Sequence, residues 1–165
     1  MRGALLNTRS LQKHSLEIFT LLQDEDLDIL ALTETWLGAE SEPDMIAALP
    51  QGYCIQVSNR PGERRGGGVA LITRSLANID IIISESLGGA EVIGVKVSMD
   101  SACIVVVVAY RPPGPSQPFN QLFLELMCSI CSRCTQVVVL GDFNYWLDEP
   151  PGAMLPPVLW KAWRC

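Results

Sequence analysis

The sequence predicts a domain of mixed α and β structure, on three observations. Two apolar runs end in carboxylate-bearing turns, helical stripes separate strand-like runs, and short turn-rich connections join several of the strands. Val137-Val138-Val139-Leu140 discharges into Gly141-Asp142-Phe143-Asn144, and Asp28-Ile29-Leu30-Ala31-Leu32 closes on Thr33-Glu34. An unbroken β-branched run marks a strand covered on both faces, and its polar exit delivers chemistry to the edge of a sheet. Asp142 is a candidate base or metal ligand, Asn144 offers donor and acceptor, and Gly141 lets a ligand or another backbone come close. An ordinary Asx turn would use the same residues.

The elements follow in order. Ala4 to Asn7 reads as a strand, and Leu11, Ile18, Phe19 and Leu22 recur at helical spacing up to about Gln23. After the strand that begins at Asp28, a polar loop runs to Pro50 and holds a short helix over Asp44 to Leu49. Tyr53 to Ser58 and Gly68 to Thr73 are strands joined through Asn59-Arg60-Pro61-Gly62. Ile79 to Ile83, Glu91 to Val97 and Cys103 to Tyr110 are three more, with connections short enough to imply antiparallel neighbours. A proline-rich connector from Arg111 to Pro118 leads to a helix with the stripe Phe119, Leu122, Phe123, Leu126 and Ile130.

Composition narrows the classes. At 165 residues and 48% hydrophobic the chain fits one globular domain, and a net charge of −6 argues against a uniformly basic nucleic-acid clamp while allowing a locally basic rim. Arg60, Arg64 and Arg65 form the densest basic cluster, in a turn where a solvated hairpin tip and a phosphate contact are both open readings. No leader-like apolar segment follows Met1, and the longest apolar run, Ala102 to Ala109, is too short to span a bilayer. The expectation is a soluble intracellular protein whose six cysteines are reduced, the Cys128, Cys131 and Cys134 spacing included, and which makes no use of a membrane. His14, the one histidine, has no ligand partner at metal spacing and is expected to face solvent. Gly66-Gly67-Gly68 leads into a strand with no Lys-Ser/Thr ending, so it opens a packed strand and cradles no nucleotide.

Taken together, Asn7-Thr8-Arg9-Ser10-Leu11, Leu32-Thr33-Glu34-Thr35-Trp36-Leu37, Gly66-Gly67-Gly68-Val69-Ala70, Tyr110-Arg111-Pro112-Pro113 and Gly141-Asp142-Phe143-Asn144 resemble the endonuclease/exonuclease/phosphatase superfamily. They are most similar to the apurinic-type endonuclease domain of non-LTR, LINE-type retrotransposons. The resemblance implies a four-layer α/β sandwich, two mixed β-sheets flanked by helices. It implies Glu34 as the ligand of a divalent ion, magnesium, with Asn7 nearby; Asp142 as the group that activates water; Asn144 fixing that aspartate or the phosphate; and Tyr110 donating to the phosphate. Oxygen ligands of this kind suit hard magnesium. The implied partner is the DNA backbone and the implied location nuclear.

The resemblance covers 1–149, and 150–165 is a Pro- and Trp-containing tail in which the pattern is lost. The family's terminal Ser-Asp-His motif and further strands find no counterpart, and no reverse-transcriptase motif follows. The expectation is therefore a partial sandwich lacking the C-terminal strands, broken by a frameshift or aberrant splice, whose activity as a DNA-nicking, magnesium-dependent phosphodiester hydrolase is weak or lost. The alternatives are a non-catalytic remnant or interaction module, and a phosphatase of the same superfamily.

Overall fold

A computed structural model describes residues 1–62, 66–99, 102–114, 117–144 and 163–164; Arg64, Arg65 and the tail from Pro150 to Ala162 lie outside the described residues. In chain order the elements are β1 (Gly3–Asn7), α1 (Ser15–Asp24), β2 (Ile29–Thr33), α2 (Glu42–Ala48), β3 (Tyr53–Ser58) and β4 (Val69–Arg74). There follow β5 (Asn78–Leu87), β6 (Ala90–Met99), β7 (Ala102–Tyr110), α3 (Gln117–Cys131), β8 (Gln136–Asp142) and β9 (Trp163–Arg164). One sheet has the order β1-β2-β4-β3 and the other β5-β6-β7-β8-β9. Each is mixed: β1 runs parallel to β2 and β7 parallel to β8, and the remaining pairs are antiparallel. Parallel neighbours need a crossover, and α1 and α3 supply the two.

Strand alternation sorts the side chains into layers. Leu30, Leu32, Ala70 and Ile72 face outward onto Leu11, Ile18 and Leu22 and onto Met45 of α2. Their neighbours Ile29, Ala31, Val69 and Leu71 face inward and meet Ile93, Val95, Val97, Val106 and Val108 of the second sheet. On the far side, Val92, Val105, Val107, Ala109 and Val137 pack under Phe119 and Ile130 of α3. Burying one such side chain contributes about 1.5–3 kcal/mol, so the sandwich is held by its three apolar seams. The result is the four-layer arrangement that the resemblance implied, helices outside and two sheets within.

Two elements differ from the sequence reading. Strand β5 runs on to Leu87 with a bulge between Ile81 and Ile83, and Ile81 and Ile82 are exposed at 58% and 43% because this is an edge strand. Its outward apolar residues hid the alternation that marks a half-buried strand. In the tail, where no element was expected, the two residues of β9 pair with Gln136 and Val137. At the N-terminal ends of β1 and β8 the sheets part around an apolar cleft of about 390 Å³ lined by Leu5, Ile29, Ile104, Val106, Val138 and Leu140, among others.

Gly141 shows why the exit of β8 must lack a side chain. A Cβ there would lie 2.1 Å from the carbonyl oxygen of Ala109 on β7, so it is the neighbouring backbone that comes close. Gly141→Ala is expected to lower stability by about 3 kcal/mol through this overlap, measured by urea unfolding. It should do so far more than Gly38→Ala, where the added Cβ would meet nothing within 4 Å.

Candidate functional site

Strand parity from the core seam brings four polar or ionisable side chains to one end of the sandwich. Inner positions alternate along each strand, so Asn7 follows Leu5, Tyr110 follows Val108, Asp142 follows Leu140, and Glu91 precedes Ile93. The register sets Glu91 opposite Tyr110 and Tyr110 opposite Asp142, a row of three across the second sheet. On the first sheet Asn7 stands beside Thr33, immediately before Glu34.

The two sheets meet at this end through a hydrogen bond. Asn7 Nδ2 donates to Asp142 Oδ2 at 3.0 Å, between residues 135 apart in sequence. The backbone N–H of Asn144 donates to Asp142 Oδ1 at 3.2 Å, so each carboxylate oxygen has one partner and keeps one lone pair. This contact is also the Asx turn that the sequence left open. The Glu34 carboxylate lies close enough to the Tyr110 hydroxyl to help raise its pKa, and Trp36 Nε1 donates to Glu34 Oε2 at 3.1 Å. Asn7, Glu34, Tyr110, Asp142 and Asn144 therefore converge at one mouth.

Three loops are laced together to present them. The backbone N–H groups of Ser10 and Leu11 donate to the carbonyls of Glu34 and Thr35, and Thr8 Oγ1 donates to the Glu34 carbonyl at 2.9 Å. Thr35 and Trp36 donate in turn to Gly68 and Gly67. The lacing holds strained backbone: Arg9, Ser10, Glu34, Trp36 and Asn144 all have left-handed φ, between 45° and 103°. For residues with side chains this costs on the order of 1–3 kcal/mol each. Gly68, at φ 82°, is needed where it stands, since a Cβ would come within 2.6 Å of Thr35 Oγ1.

Sequence reasoning missed three residues that shape the mouth. Arg60, read as a hairpin tip or phosphate contact, instead turns inward: its Nε donates to Glu91 Oε1 at 2.6 Å, and its guanidinium lies 5.7 Å from the Tyr110 ring centroid. The Glu91 side chain is only 2% exposed, and it also accepts the Gly68 N–H. The signal was a carboxylate on the inward parity of an otherwise apolar strand. Arg111, read as part of a stiff connector, is buried, and its Nη1 donates to the carbonyls of Phe143 and Asn144 at 3.0 Å each. Asn144 Nδ2 returns a bond to the Arg111 carbonyl at 2.8 Å, so Arg111 clamps the turn that carries Asp142. Phe143 points away from the mouth and packs against the stacked pair Phe119 and Phe123, with ring centroids 6.3 and 5.7 Å away. Arg64 and Arg65 lie outside the described residues. His14 is half exposed and pairs with Glu17 at the start of α1.

The donor set fits a hard divalent cation. Asn7 gives its Nδ2 to Asp142 and retains its side-chain carbonyl oxygen, and Glu34 offers carboxylate oxygens near Tyr110. No group of three His, Cys, Asp or Glu side chains suited to a metal occurs among the described residues. Magnesium commonly takes only one or two carboxylates and keeps its waters, which matches so sparse a set. No helix among the described residues is long and apolar enough to cross a membrane, and the five described cysteines are free thiols.

The profile of the Endonuclease/Exonuclease/phosphatase family matches residues 4–159. In sequence the chain is similar to the RNA-directed DNA polymerase from mobile element jockey of Drosophila melanogaster, 24% identical over 169 residues, 96% of this chain and 17% of that one. In fold it is similar to the 3' phosphatase NExo from Neisseria bound to a product DNA hairpin, with a TM-score of 0.69 at 24% identity over 87% of this chain and 58% of that chain. It is also similar to the human Nocturnin catalytic domain with bound sulfate, with a TM-score of 0.68 at 14% identity over 90% of this chain and 65% of that chain. The chain thus spans less than two thirds of each of these proteins.

Two measurements test this geometry. Burial first, then the neighbouring Glu34 carboxylate, push the Tyr110 hydroxyl up to about 12. A phenol raised above its ordinary value of 10.0 stabilises the fold fully below pH 10, and that contribution is lost as pH climbs toward 12. Ultraviolet titration should therefore show a late tyrosine transition that Tyr110→Phe removes. Arg60→Ala strands the buried Glu91 carboxylate and is expected to cost about 3–5 kcal/mol in urea unfolding, while Arg60→Met combined with Glu91→Leu recovers most of it.

Proposed function

The chain belongs to the endonuclease/exonuclease/phosphatase family, and on that premise we propose that its strand-end mouth is the phosphodiester-cleaving centre of a divalent-metal-dependent, DNA-nicking nuclease of retrotransposon type. The observation that carries the reading is the Asn7–Asp142 hydrogen bond, which joins the exits of two sheets and sets an amide against one carboxylate, with the Glu34 carboxylate acting on the neighbouring Tyr110. Similarity to the jockey protein over 96% of this chain supports the retrotransposon branch. The DNA product held by the Neisseria relative supports a nucleic-acid substrate.

The residues divide the work of hydrolysis. Glu34 and the carbonyl oxygen of Asn7 would hold magnesium, which when bound supplies positive charge to the non-bridging phosphate oxygens. Asp142, with one lone pair left on each oxygen, orients the attacking water and takes its proton. Asn7 Nδ2 and the Asn144 backbone fix that carboxylate, and Arg111 fixes Asn144. Tyr110 stays protonated to about 12 and so remains a hydrogen-bond donor for a phosphate oxygen at any working pH. No imidazole of this chain reaches the mouth, because His14 stands at α1 beside Glu17. Losing one such transition-state donor typically costs a hundredfold to a thousandfold, roughly, in rate.

The expected outcome is slow nicking of supercoiled plasmid in magnesium, stopped by chelation and abolished by Asp142→Ala and by Glu34→Gln. Folded chain that nicks no plasmid in magnesium or manganese would favour the reading of a non-catalytic module. Nicking that survives Asp142→Ala would remove the centre from this mouth.

A further inference from the structure

Trp36 is placed oddly for a tryptophan. The residue is 44% exposed, its backbone sits at φ 53°, a region that bulky residues rarely enter, and both features occur two residues from Glu34. Indole carries a single polar atom, a donor, and that donor is committed to Glu34 Oε2 at 3.1 Å. The backbone is pinned as well, by the bond from the Trp36 N–H to Gly67 O at 3.0 Å. The ring edge runs past Gly66, where an added Cβ would lie 3.7 Å from Nε1 and 3.8 Å from Arg60 Nη1. No aromatic ring or cation among the described residues packs on the indole. What the protein holds still at the lip of the mouth is thus a flat apolar π surface with no hydrogen bond left to make.

We infer that Trp36 is a stacking platform for an unstacked nucleobase adjoining the phosphate held at the Glu34 and Asp142 mouth, an inference that rests on the nuclease reading above. A base is the part of a nucleic acid that presents a π face, and its stacking on an aromatic side chain is insensitive to sequence. The bond to Glu34 keeps the platform in fixed relation to the carboxylate, so the stacked nucleotide is the one flanking the bond to be cut. A π face that reads no base edge gives the enzyme a preference for sites where a base leaves the stack cheaply, and no preference for its identity.

The test compares binding of a labelled single-stranded oligonucleotide with that of an equal-length strand abasic at its central positions, in chelator and low salt, by fluorescence anisotropy. The unsubstituted chain should bind the base-containing strand roughly 5- to 150-fold more tightly. Trp36→Phe, which keeps a ring and loses the N–H, should retain most of that ratio, and Trp36→Leu should bring it close to one. Bound oligonucleotide should also quench the part of the indole emission that Trp36→Phe removes, a readout that does not require the leucine variant to fold. Equal binding of the two strands by the unsubstituted chain, absence of the quench, or a phenylalanine variant as poor as the leucine one would overturn the platform and leave the nuclease reading standing. No binding of either strand would overturn the nucleic-acid reading itself, and the platform with it.

Discussion

Two sheets that share one apolar interior must bring that interior to an end, and the way it ends here decides where chemistry sits. Along each contributing strand the inward positions are aliphatic until the last, where Leu5 gives way to Asn7, Val108 to Tyr110 and Leu140 to Asp142. Strand alternation allows no other placement without a slip of register, which would turn Asp142 outward under α3. The polar end is therefore a product of the same pairing that fills the core. Glu91 and Arg60 extend the principle: a carboxylate on the inward parity of β6 is tolerable only because a guanidinium folds over from the β3–β4 connection to meet it.

The mouth is also where the backbone departs from ordinary geometry. Left-handed residues at 9, 10, 34, 36 and 144 all lie in the segments that carry its side chains, and each segment is tied to the next by hydrogen bonds. Strain of this sort survives only where the surroundings over-determine it. Apolar packing supplies part of the determination from the other side of the sheet, since Phe143, packed against Phe119 and Phe123, anchors outward the turn whose Asp142 faces inward.

Much of this was legible in the chain. The β-branched runs and the helical stripes gave the mixed α and β class, the family resemblance implied the layers, and the exits at Glu34 and Asp142 marked the right end of the sheets because a polar residue closing an apolar strand has few other reasons to be there. What escaped depended on pairings across space. Arg60 lies in a Gly- and Pro-rich turn 31 residues from its partner Glu91, and nothing local distinguishes it from a solvated arginine. Arg111 looked like part of a stiff linker because its contacts are to backbone carbonyls, which no side-chain pattern encodes. The left-handed turn at Trp36 was equally hidden, since propensity assigns such backbone to glycine or asparagine.

The bond from Asn7 to Asp142 has a consequence in time. Its partners are separated by 135 residues, nearly the whole described chain, so at roughly 5–20 residues per second the ribosome finishes the second partner about 7–27 s after the first. Throughout that interval β1, α1 and β2 can already pair and pack, but the opening has only one of its walls. The mouth is thus assembled late, and a nascent chain already folded at its N-terminal end lacks one wall of the opening until β8 arrives.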